Sequence, residues 1–174
     1  MLSQVVQDAL NEQINTEFYS SYNYLAMSAF CEQQNFRGCA HWLRMQSDEE
    51  HMHARKIYTF MINRSARVVL KEISSPKNNY DSIPHVFQEA LTQELEVSRR
   101  IDLLYELAFK EKAFAALVEL QWFISEQTEE ERTARDIVAK FELVKNDPSA
   151  LLDLDRELAS RAPASDPTSG AAGT

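Results

Sequence analysis

Glycine is nearly missing from this chain. Three occur in 174 residues, at 38, 170 and 173, so residues 1–169 hold one. The Gly-rich turns that let a backbone cradle a nucleotide phosphate are thereby excluded. Proline is confined to 76, 84, 148, 163 and 167, leaving 1–75 and 85–147 free of the residue that breaks helices. Cysteine is limited to Cys31 and Cys39, without Cys-x-x-Cys or Cys/His zinc spacing, and both are expected to be reduced and buried. Basic charge is in deficit, 18 Lys and Arg against 27 Asp and Glu, for a formal net charge of -9. With no basic cluster to neutralise phosphates, nucleic acid is not an expected partner. Converging carboxylates instead raise the local concentration of cations. No window approaches 18 consecutive apolar residues, and the N-terminal stretch lacks a basic region followed by an apolar run. A cytoplasmic protein with no membrane partner is expected.

What is present is helix-forming sequence on a long scale. The length suits one domain burying roughly 70% of its unfolded surface. Ser3 is the expected cap of a first helix reaching about residue 34, and Gly38 the expected turn before a second that reaches about 64. The segment 67–80 has no helical period and reads as a long crossover with room for a short extended piece. Asp81 or Ser82 then caps a third helix with Pro84 in its first turn, ending near Phe109. A fourth runs from about 112 to 145, and Asp147-Pro148 caps a short fifth reaching about 160. Residues 1–160 make one all-α domain, and 161–174, small, polar and rich in Pro and Gly, are expected to be a disordered tail.

Core positions of a bundle helix recur at steps of three and four. The fourth helix, indexed that way, reads Ala113, Ala116, Leu120, Phe123, Gln127, Glu130, Ala134, Ile137, Phe141, Val144. An amide and a carboxylate interrupt an apolar seam. The third gives Phe87, Leu91, Glu94, Ser98, Ile101, Tyr105, Ala108, and the second Cys39, Leu43, Gln46, Glu50, His53, Ile57, Phe60. The first runs through Val6, Leu10, Glu17, Ser21, Tyr24 and Cys31. Glu17, Glu50, Glu94 and Gln127/Glu130 all fall near helix midpoints, and in an antiparallel bundle midpoints share one height. Four carboxylates in a dry layer cannot stand uncompensated, because an unpaired buried carboxylate costs several kcal/mol. Either protons or metal ions must sit there. No Lys or Arg lies on these seams. One imidazole, one amide and four carboxylates suit a pair of oxygen-loving transition ions, iron or manganese before zinc.

Four local strings then carry a family resemblance: Leu-Asn-Glu-Gln-Ile-Asn-Thr-Glu17 through Tyr24, Glu49-Glu50-His-Met-His53, Gln-Glu94, and Gln121-Trp-Phe-Ile-Ser-Glu126-Gln127-Thr-Glu129-Glu130. From residue 1 to about 160 the chain resembles the bacterial non-haem ferritins. The resemblance implies an up-down-down-up four-helix bundle with one long crossover and a fifth C-terminal helix. It implies Glu17, Glu50 and His53 as ligands of one iron, with Glu50 bridging to a second held by Glu94 and Glu130 with Gln127 alongside. Glu49, Glu126 and Glu129 resemble a third iron site, and Tyr24 the tyrosine beside the centre. The implied activity is oxidation of Fe2+ by O2 and storage of Fe3+ inside a cage of 24 identical subunits.

Departures from neighbouring families sharpen this. Gln127-x-x-Glu130 stands where bacterioferritins and many di-iron oxygenases carry a second Glu-x-x-His, so iron is expected to leave as product. His51 follows Glu50 where the bacterioferritin haem methionine would stand, and no haem is expected. Leu117 and Leu120 replace the acids that line the three-fold channel of animal ferritins, with Glu119, Arg132 and Asp136 nearby. Tyr24 is an expected one-electron donor with Trp122 a relay, against the alternative that both fill the seam. A di-iron oxygenase or reductase acting on a small molecule is the rival function.

Overall fold

The structure is a computed structural model describing residues 2–144 and 147–163. Four long helices, α1 (Gln4–Gln33), α2 (Arg37–Asn63), α3 (Ile83–Lys110) and α4 (Phe114–Val144), are followed by the short α5 (Pro148–Leu158). None of them is long and apolar enough to cross a membrane. The first three end alike. Asn35, Ser65 and Lys112 take left-handed φ values of 64°, 52° and 54°, and the next amide bonds back to the carbonyl five residues earlier: Phe36 to Cys31, Ala66 to Met61, Ala113 to Ala108. These bonds satisfy carbonyls that a helix end otherwise orphans. Ser82 caps α3 by accepting from the His85 amide, and Asp147 caps α5 by accepting from the amides of Ser149 and Ala150.

The crossover fixes helix direction. At its start, the Arg67 and Val69 amides donate to the side chains of Gln7 and Asn11, near the beginning of α1. At its close, the Tyr80 ring lies 5.2 Å from Phe30, near the end of α1. The segment therefore traverses the bundle, so α3 starts at the same end as α2 and runs parallel to it. The result is the up-down-down-up bundle, with α5 packed across α2 and α4.

Two apolar clusters make the core. One gathers Tyr24, Met27, Cys31, Trp42, Leu43, Phe87, Phe141 and the α5 leucines Leu154 and Leu158. The other gathers Val6, Leu10, Ile14, Ile57, Met61, Ile101, Leu120 and Phe123. Polar side chains fill the layer between them. Both cysteines are free and buried, with burial pushing the Cys31 thiol up to about 12.

Several expectations change in detail. Ser3 makes no side-chain cap bond. Asn35 supplies the first turn, while Gly38 lies inside α2, where an added Cβ would meet the Asp155 carbonyl at 1.7 Å. That glycine serves the close approach of α5. The crossover forms no strand, because side chains of α1 take up its amides. In α3 the seam is wider than indexed: Val86, Ala90, Val97 and Leu104 are buried, whereas Leu91, Ser98 and Tyr105 are partly exposed. Of the expected tail, Arg161 packs back on the bundle with its guanidinium 4.6 Å from the Trp42 ring centre. Residues 164–174 lie outside the described residues.

Candidate metal centre

Helix geometry alone sets the height of the polar layer. Glu17 is the fourteenth of 30 residues in α1, Glu50 the fourteenth of 27 in α2, Glu94 the twelfth of 28 in α3, and Gln127 the fourteenth of 31 in α4. All four, with His53 and Glu130, are buried. Glu50 and His53 sit one turn apart on one face, His53 Nδ1 lying 3.6 Å from Glu50 Oε2. Single oxygens of Glu17 and Glu50 and one ring nitrogen of His53 lie within 4.8 Å of one another, close enough to share one ion.

Amides hold the carboxylates in place. Gln13 Nε2 donates to Glu17 Oε1 at 2.7 Å, Gln46 Nε2 to Glu130 Oε2 at 2.9 Å, and Gln127 Nε2 to Glu94 Oε2 at 3.1 Å. The Tyr24 hydroxyl donates to Glu94 Oε1. Glu17 Oε2 and both Glu50 oxygens are left buried with no partner. Oxygens in that state are costly unless protonated or bound to a cation.

Electrostatics agree. Burial raises Glu17, against the opposing hydrogen bonds of Glu50 and Gln13, and burial reinforced by Glu94 and Glu17 pushes Glu50 well above the ordinary carboxylate range. Burial carries Glu94 up to about 7 and Glu130 up to about 8. His53 moves the other way, down to about 4, because burial and Lys56 disfavour imidazolium. At neutral pH His53 is a neutral donor beside carboxyls that hold protons until a cation displaces them. Imidazole plus hard anionic oxygens fits iron.

A second set adjoins the first. Glu49, His53 and Glu126 bring ligand atoms within 4.8 Å of one another, so His53 stands between the two sets, with one lone pair to give to either. Glu129, grouped with Glu49 and Glu126 by resemblance, is exposed on α4. Glu49 is not free. Arg161 Nη2 donates to its Oε2 at 2.5 Å.

Aromatic rings surround the layer. Tyr24 is fully buried, its ring 6.4 Å from Trp42, and burial beside Glu94 pushes its phenol well above the ordinary value. Trp122 sets an edge 5.2 Å from His53 and lies under Lys56, whose ammonium also meets Glu119 at 3.2 Å. Leu120 belongs to the core, and Arg132 and Asp136 border a cavity of about 270 Å³ with Trp42 and Arg161. Sequence reasoning missed Gln13, Trp42 and Arg161. Gln13 carried a usable signal, standing one turn before Glu17 as a polar residue next to the seam; Arg161 carried none, since its role needs α5 folded back.

The ferritin-like domain family matches residues 7–144. A bacterial non-heme ferritin of Staphylococcus aureus (strain USA300) is 35% identical over 161 residues, 92% of this chain and 97% of that protein. Its counterpart from Staphylococcus saprophyticus is 37% identical with 92% and 96% coverage. Among solved structures, an open-pore ferritin of Archaeoglobus fulgidus superposes with a TM-score of 0.92 at 41% identity, covering 93% of this chain and 99% of that one. A closed form engineered from the Archaeoglobus ferritin gives 0.93 at 41%, covering 94% and 100%.

Proposed function

The chain belongs to the ferritin-like family, and we propose that it is a cytoplasmic iron-storage subunit that oxidises its own cargo. Glu17, Glu50 and His53 bind one Fe2+, Glu94 and Glu130 bind a second with Gln127 alongside, and Glu50 bridges the two. Each Fe2+ gives one electron to O2, which takes up two electrons and two protons. Fe3+ then leaves for deposition inside a homo-oligomeric shell of 24 copies.

The observation that carries this reading is the trio of buried, unpartnered oxygens on Glu17 and Glu50 beside a neutral His53. The residues divide the work. Gln13 and Gln46 each tie down one oxygen of Glu17 and Glu130, so less reorganisation is needed when a cation arrives. Carboxylate oxygens bind the ferric state more tightly than the ferrous one, which favours oxidation. Tyr24, bonded to Glu94, stands as a one-electron donor for reduction of O2 beyond that two-electron stage, its phenol proton passing to Glu94. Gln127 uses its amide on Glu94 and supplies no imidazole, so the second iron is held by oxygen donors alone and is released as product.

Anaerobic Fe2+ titration tests the reading. Two tightly bound ions per subunit are expected in the wild type, and loss of both tight sites in Glu50→Ala, since Glu50 bridges. Tight binding that is unchanged in that variant contradicts the assignment.

A further inference from the structure

The outer set, Glu49, His53 and Glu126, is met by a cation the protein supplies itself. Arg161 stands three residues past the end of α5 and reaches Glu49 Oε2 through Nη2 at 2.5 Å, with the two side chains only 20% and 11% exposed. Its attachment is unequal at its two ends. The backbone is anchored: its carbonyl lies 2.9 Å from His41 Nε2, and Leu154 and Leu158 of α5 are buried in the core. The guanidinium is less well satisfied, resting 4.6 Å from the centre of the Trp42 ring, with Nη1 buried and without a partner. It can leave Glu49 at the loss of one charge-assisted hydrogen bond, while the chain that carries it stays put.

We propose that Arg161 is a tethered counter-ion that occupies the outer site and holds it against a third divalent cation, setting how tightly that ion binds relative to the first two. With His53 taken up by the first inner ion, a third divalent ion at this set has the carboxylates of Glu49 and Glu126 as its donors and needs both. With Arg161 in place one of them is already neutralised, and a fixed positive charge faces the arriving ion. Arg161 touches a ligand and not the reacting atoms, so it is a positioning residue. The proposal rests on the inner centre binding two ions as proposed above.

The test is anaerobic titration of the full-length protein with Fe2+ in wild-type, Arg161→Gln and Arg161→Lys forms. Removing the charge is expected to leave the two inner sites unchanged and to tighten the third by about tenfold or more. Arg161→Lys, which keeps a cation on the same tether, is expected to stay within a few-fold of wild type. A gain in affinity is not the result of a folding defect, and the two inner ions report on the fold in the same experiment. Equal third-ion affinity in wild type and Arg161→Gln overturns the proposal and leaves the inner centre standing. Equal tightening in Arg161→Lys also overturns it, because charge would then not be the cause. Absence of tight Fe2+ binding in all three proteins overturns the inner centre and this inference with it.

Discussion

Glu50 shows what burial does to a single carboxylate. Its carboxylate is fully buried, both oxygens lack partners, and Glu94 and Glu17 add their negative charge to the cost of burial. The same balance extends to Glu94 and Glu130, raised to about 7 and about 8 from an ordinary 4.5. Raised folded-state values mean that the iron-free fold binds protons more tightly than the unfolded chain. The stability this contributes is complete below about pH 4.5 and is lost as pH rises through about 7 and 8. Glu94→Gln is therefore expected to melt like the wild type near pH 5 and above it near pH 8.5, by at most roughly 3 kcal/mol in iron-free protein. Wild-type protein that melts higher than Glu94→Gln at pH 8.5 would contradict this. Fe2+ under argon reverses the trend, because bound carboxylates must be deprotonated, and its stabilisation grows with pH. These buried carboxylates were legible in the sequence because each is polar on an otherwise apolar stripe. Gln13 and Gln46 were less so: an amide near a seam reads as tolerated polarity until the carboxylate it serves is seen.

Among the elements, the four long helices were legible almost to their ends, because long proline-free stretches carry the seam pattern, although the first three end at Asn35, Ser65 and Lys112 and not at proline or glycine. The α4 seam was predicted from Ala116 to Phe141, every residue on that stretch being buried, while its ends, Ala113 and Val144, are only partly buried. The α3 seam was too narrow because that helix packs against both α1 and α4, and its buried face spreads to Val86, Ala90 and Val97. The meaning of Gly38 was hidden for a different reason. A lone glycine near a helix start reads as a turn, but its missing Cβ is what lets the Asp155 carbonyl of α5 sit against α2. Asp155 also accepts from the Cys39 amide at 2.8 Å, satisfying a donor in the first turn of α2, whose own cap residue Phe36 offers none. Gly38→Ala must push α5 outward, and a loss of roughly 2 kcal/mol or more is expected in thermal unfolding. The Arg161 guanidinium moves with it, so the third-ion affinity should change in the same variant while the first two sites hold. An unchanged melting temperature would show that α5 does not rest on Gly38.

For the whole molecule, the bundle presents large apolar side chains that no other described residue covers. Phe109 and Phe114 flank the α3–α4 turn, Leu152 faces away from the core on α5, and Val118 and Leu143 are largely exposed on α4. Assembly into a shell of 24 copies of the 20.0 kDa chain would cover such surface. Light scattering is expected to give a particle of about 480 kDa, and a stable species at the mass of the monomer would contradict the assembly. Symmetry could not be read from the chain, because contacts between copies leave no periodic signature in one sequence; exposed leucines and phenylalanines mark a surface without naming its partner.

Chemistry at the mid-bundle layer is the centre of this account, and stopped-flow mixing of anaerobic Fe2+-loaded protein with O2 tests it most directly. A rapid ferrous oxidation phase that saturates at two Fe2+ per subunit is expected, slowed about tenfold or more in Glu94→Ala, which removes the carboxylate proposed to hold the second iron. Oxidation no faster than that of Fe2+ in protein-free buffer, or a rapid phase untouched by Glu94→Ala, would contradict it.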